Sequence, residues 1–151
     1  MATRAIPTDG EFLRNAEFRT EPSLTFNVNF ATGRVEEGYI DDIEAMRQAV
    51  ILILFTEKRR WIIHEPDYGV NLRDLMGESM MYVIPMIESR VRTAVLADDR
   101  ITGAYNFSFK KNFNPEQDPK KPELHRSTLT CTFDCETIYG TVKDIEVDVN
   151  V

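Results

Sequence analysis

The chain has 151 residues, 42 % hydrophobic and 28 % charged, with 25 acidic residues against 18 basic ones for a net charge of −7. That length and balance fit one soluble globular domain with a real core, and the acidic excess argues against a duplex nucleic-acid surface, which needs clustered Lys and Arg to displace counterions. The runs Lys58-Arg59-Arg60 and Lys120-Lys121 are too short to reverse that balance, and the apolar run Ala49–Phe55 is far short of the roughly 20 residues of a membrane span.

Residues 1–23 are polar, carry Pro7, Gly10 and Pro22, and read as an extended N-terminal arm; residues 24–151 read as a single α+β domain. Met1–Arg4 leads into no apolar segment of the kind a secretory leader has, so synthesis and folding in a cytoplasm are expected. Leu24, Phe26, Val28 and Phe30 alternate with polar residues, the period of a half-buried strand, and Ala31–Arg34 supplies a turn into a second strand over Val35–Ile40.

Residues 42–76 hold the densest chemistry. Asp41 or Asp42 caps a helix that is expected to run to about Lys58, with Glu44 in its first turn and Lys58, Arg59 and Arg60 complementing its C-terminal dipole. Ile43, Met46, Val50, Ile53 and Leu54 form one apolar face, while Ala49, Ile51, Leu52 and Phe55 fill in the others. With one sheet to cover one side, the remaining surface at Ile51, Leu52 and Phe55 meets either a second chain or the chain's own second helix. Trp61–His64 reads as a short strand ended by Pro66, Asp67-Tyr68-Gly69 as a turn, and Val70–Gly77 as one or two helical turns closed by glycine.

A second helix is expected from Ser79 or Ile84 to Ala97, either started or kinked by Pro85, with Ile84, Ile87, Val91, Ala94 and Val95 buried. Ile101–Lys110 reads as a strand with Tyr105, Phe107 and Phe109 on one face, and the proline-rich stretch Asn112–Glu123 as a loop. Leu129, Cys131, Phe133 and Cys135 alternate inward along the next strand; at about 3.4 Å per residue the two thiols stand about 13 Å apart and cannot bridge. With His64 and His125 distant from each other, no zinc-ligand spacing is present. After a turn at Tyr139-Gly140, Ile145, Val147, Val149 and Val151 alternate with polar residues. This last strand is either internally paired or an open edge that templates a strand from another molecule.

The text IEAMRQAVILILFTEKRRWIIHEPDYGVNLRDLMG, then LADDRITGAYNFSF, then FDCETIYGTVKDIEVDV resembles the baseplate wedge proteins of contractile phage tails and phage-tail-like particles, over about Leu24 to Val151. The resemblance implies an α+β fold, a mixed or antiparallel sheet carrying two main helices, similar to the domain by which sheath subunits join hands. It implies a structural part in the baseplate of a virion or tail-like particle, assembled in a bacterial cytoplasm. The implied partners are larger wedge proteins and the sheath protein, with tail-tube or hub proteins as further neighbours and neither nucleic acid nor membrane. Its implied contacts are a wedge-facing turn at Glu65, Pro66, Asp67, Tyr68 and Gly69, a helix contact at Ile51, Leu52 and Phe55, and a sheath-facing strand edge at Val147, Val149 and Val151. Some relatives have Glu-Pro-Arg at that turn; Asp67 stands here in place of the arginine, leaving Arg59, Arg60 or Arg73 to supply positive charge.

Members of this family have been labelled lysozyme-like, which puts a physical question to Glu65 and Asp67. A glycosidase needs two carboxyls about 5 Å apart or about 6.5–9.5 Å apart, one of them held protonated by apolar surroundings. A proline between the two residues, and no series of sugar-stacking tryptophans, favour a turn whose carboxylates cap a helix and pair with arginines over a peptidoglycan-cleaving site. No phosphate loop, nucleophile elbow or metal-spaced His-Glu pair is present, and neither a catalytic residue nor a cofactor is expected.

Overall fold

The computed structural model describes residues 22–113 and 127–150. Most of the N-terminal arm, nearly all of the proline-rich loop, and Val151 lie outside the described residues. The elements are β1 (Thr25–Asn29), β2 (Arg34–Ile40), α1 (Asp42–Phe55), a 3-10 turn at Arg73–Leu75, α2 (Met80–Val95), β3 (Ile101–Phe113), β4 (Ser127–Thr137) and β5 (Gly140–Asn150). The α+β class stands, but the strands form two antiparallel sheets rather than one: the hairpin β1-β2, and a meander β3-β4-β5 with β4 central.

The core lies between the meander and the helices. Leu129, Cys131, Phe133 and Cys135 of β4 are buried as their alternation requires, opposite Val142, Ile145 and Val149 of β5. Val83, Ile87, Val91 and Val95 of α2 and Met46, Val50 and Ile53 of α1 close over them. On β3 the face is broken by a bulge between Tyr105 and Ser108, where Asn106 takes φ 56°. The extra residue turns Tyr105 out to solvent while Phe107 and Phe109 face the core, so the three aromatics do not share one side. Phe107 stacks on Phe133 at 5.1 Å.

Helix α1 is the hub. The Asp41 carboxylate caps it, accepting from the Asp42 N–H at 2.8 Å and from the Ser23 hydroxyl; these bonds, the hydroxyl's first, hold its pKa below the ordinary value. The β1-β2 hairpin lies along one side of α1, tied at its middle by buried Gln48, which accepts from the Val28 N–H and donates to the Phe26 carbonyl, both at 2.8 Å. Along another side runs β5, with Ile43 near Gly140 and the Arg47 guanidinium donating to the Lys143 carbonyl at 2.7 Å.

The helix ends at Phe55, not Lys58. Thr56 turns extended, and its hydroxyl returns to the Leu52 carbonyl at 2.7 Å while its own carbonyl accepts from the Val70 N–H at 2.9 Å. The basic trio therefore lies beyond the helix, and two of the three make local pairs: Lys58 with Asp67 at 3.2 Å and Arg60 with Glu57 at 2.6 Å. Helix α2 starts after Ser79 and runs through Pro85, which leaves the carbonyl of exposed Met81 without its helical donor.

Candidate partner-binding groove

Residues 57–70 form a loop with a closed neck. Glu57 and Val70 make an isolated parallel bridge, and the Lys58 N–H donates to the Val70 carbonyl at 3.4 Å. Gly69, at φ +91°, sits in the neck so close to the Thr56 backbone that no side chain fits. Ends this near each other define an Ω-loop. The expected strand at Trp61–His64 does not form: the segment is a series of turns, with His64 N–H bonded to the Trp61 carbonyl at 3.2 Å and the Tyr68 N–H to Glu65 at 3.0 Å. The apolar run that suggested a strand is presented to solvent instead, Trp61 at 56 % exposure and Ile63 at 87 %, with Ile62 fully open.

The turn Glu65–Gly69, expected from the sequence to face the wedge, is built on the same loop. His64 and Tyr68 stack at 4.6 Å, and Tyr68 leans on the core, where burial and then the Asp98 charge push its phenol pKa up. Glu65, Pro66 and Asp67 are exposed. Asp67 is paired with Lys58.

Below the neck, the 3-10 turn is clamped to α2. Arg90 donates to the Asn71 carbonyl at 2.7 Å and to both Asp74 oxygens at 2.5 and 2.9 Å, so hydrogen bonding holds the Asp74 pKa down and the Arg90 pKa up. This clamp fixes one wall of a groove of about 810 Å³. The opposite wall is the Glu146–Asn150 stretch of β5, the floor is Ile51, Leu54 and Phe55 of α1, and Trp61 stands at the rim.

Two sites that the sequence suggests separately thus meet in one place: Ile51 and Phe55 from the helix, Val147 and Val149 from the strand. Leu52 is not among the lining residues and lies partly exposed on the adjacent helix face; Val151 is outside the described residues. The strand is an edge, with β4 on one side, and among the described residues no further strand pairs with it. Every second residue of such an edge directs its N–H and C=O outward.

A second apolar surface escaped the sequence reading. The hairpin face carrying Leu24, Phe26, Val35 and Tyr39 is exposed, the Phe26 and Tyr39 rings meeting at 5.1 Å, and Phe30 reaches Phe55 at 6.1 Å. Alternation shows that a strand has an apolar face but not what covers it; the signal available was that hairpin plus helix offers more apolar residues than one small core takes in. No cluster of three or more metal-ligating side chains occurs among the described residues, and no helix there is long and apolar enough to cross a membrane. Cys131 and Cys135 are free and buried, their pKa values pushed up to about 12 by burial first and then by Glu88 and Asp134 respectively.

Comparison with known proteins places this geometry. The family model described as contractile injection system sheath initiator matches residues 24–140, taking in the hairpin, both helices, the Ω-loop, β3 and β4 and stopping where β5 begins. The phage-like element PBSX protein XkdS of Bacillus subtilis (strain 168) is 30 % identical over 94 residues, covering 60 % of this chain and 67 % of that protein. With a fold of two helices on antiparallel sheets, an open strand edge and a family match over most of its length, the chain belongs to the sheath initiator family of contractile injection systems.

Proposed function

We propose that the chain is a non-enzymatic structural subunit of a contractile-tail baseplate, in a virion or tail-like particle assembled in the bacterial cytoplasm. It accepts a strand from a sheath subunit at the edge formed by Val147 and Val149, above the helix surface of Ile51 and Phe55, with Leu52 on the adjacent helix face. It faces larger wedge subunits through the turn Glu65–Gly69 and the apolar tip Trp61–Ile63. The observation that carries this reading is the open edge of β5 beside a groove with an apolar floor: unpaired backbone groups give affinity for an added strand, and the floor gives its alternate side chains a place to bury. The hairpin surface of Phe26 and Tyr39 supplies further apolar area for the same neighbours.

Phe55 is 76 % exposed, so Phe55→Asp is expected to leave the isolated fold intact, as circular dichroism would record. Particles made with this variant are expected to carry tubes without sheath under negative stain. Normal contractile particles would overturn the proposal.

A further inference from the structure

The edge of β5 is chemically two-faced. On the sheet face away from the helices it carries Glu146 and Asp148, both exposed, whose β4 neighbours are Thr132 and Thr130. Asp148 accepts from the Thr130 hydroxyl at 2.6 Å, and that hydroxyl accepts from Asn112 at 2.9 Å. No ion pair engages Glu146 or Asp148 among the described residues. Lys110 shares the Asp148 row but lies two strands away, about 10 Å at the spacing of paired strands. On the other face, Val147 and Val149 look toward Ile51, Leu54 and Phe55.

A strand laid beside β5 therefore meets two carboxylates on one side and, on the other, an apolar floor beside Arg60 and Arg73, whose charges are paired with Glu57. Building on the strand-accepting role above, we propose that this edge selects a partner strand alternating apolar with basic residues, a Lys or Arg opposite each of Glu146 and Asp148, and rejects a second β5. Opposite charges directly across two strands attract, and like charges repel. Two β5 strands paired antiparallel with apolar faces inward have acidic residues opposite or diagonal to each other in each register that sets Asp148 across from residue 146, 148 or 150, because Glu146 and Asp148 share one face. The same carboxylates that attract a basic strand keep free copies from joining edge to edge.

The test uses the full chain and three fluorescent decapeptides, valine alternating with lysine, threonine or glutamate, read by anisotropy. The lysine peptide is expected to bind about tenfold tighter than the threonine peptide at about 50 mM salt, the glutamate peptide weakest, with the gap closing near 500 mM. E146K/D148K is expected to reverse the order, while E37K/D99K, which changes net charge as much at exposed sites outside the groove, leaves it standing. Equal binding of lysine and threonine peptides, or an order that E146K/D148K does not change, overturns the charge rule. The strand reading has its own control: a lysine peptide N-methylated along one edge must bind more weakly. If it binds equally, or no peptide binds, strand addition itself fails and the proposal with it. Self-association in sedimentation that E146K/D148K abolishes would assign the edge to another copy, through the lysine-bearing β3, and would also overturn it.

Discussion

Gly69 lies against Thr56 so closely that a Cβ built on it would stand 2.5 Å from the Thr56 carbonyl oxygen. That oxygen accepts the Val70 N–H, so the contact sits at the bond that closes the Ω-loop. Glycine is required twice over, by the space and by φ +91°. Gly69→Ala is expected to cost about 2–3 kcal/mol. Urea unfolding checks it, and a loss below about 0.5 kcal/mol would mean that the neck yields.

Gln48 acts as a strand neighbour to β1, and its removal strands two backbone groups. Gln48→Ala is expected to lose about 2 kcal/mol, because the Val28 N–H and the Phe26 carbonyl lose their partner. Hydrogen exchange should localise the loss, accelerating Val28 while the β4 amides stay protected at any stability that keeps the chain folded.

The carboxylates of Asp74 and Asp98 titrate below the ordinary 3.8 in the folded chain. Arg90 does this for Asp74; burial pushes Asp98 up, but the Arg100 side chain and backbone outweigh it. A lowered folded pKa gives stability that is complete above the unfolded value and is lost as pH falls through the folded one. The melting temperature is thus expected to hold down to about pH 5 and to drop below about pH 4. Because the Asp74–Arg90 pair is part-exposed, Asp74→Asn should cost at most about 1 kcal/mol at neutral pH and flatten part of the acid drop.

Cys131 and Cys135, both near pKa 12 and buried in β4, carry almost no thiolate at pH 8. Their reaction with a chromogenic disulfide is expected to be slow in the native chain and to accelerate with urea in step with unfolding. Rapid labelling without denaturant would place an opening of the meander within easy reach.

Periodicity was enough for the meander and both helices, because Leu129, Cys131, Phe133 and Cys135 repeat by two and Ile87, Val91, Ala94 and Val95 follow one helical face. It failed where apolar residues serve a surface. Trp61, Ile62 and Ile63 have the composition of a strand, yet the bond between Thr56 and Val70 closes the chain around them and leaves no neighbouring strand to pair with. Tyr105 was misplaced because a bulge adds a residue that no pattern of types announces. The helix's end at Phe55 depended on Thr56 finding Val70, a contact that lies in the fold and not in the local text. The groove was half visible: its helix floor and its strand wall are each legible in the sequence, but their meeting is a fact of topology.

The bond from Arg47 to Lys143 spans 96 residues of chain, whereas β3, β4 and β5 follow one another as neighbours. The entropy lost in joining distant segments favours early closure of the meander and late docking of α1 on β5. Arg47→Ala is accordingly expected to quicken unfolding while refolding keeps its pace. On the strand-accepting role proposed above, assembly inherits an order from this: the groove floor arrives with the last docking event, so a nascent chain offers no seat to a neighbour's strand until its own folding is complete.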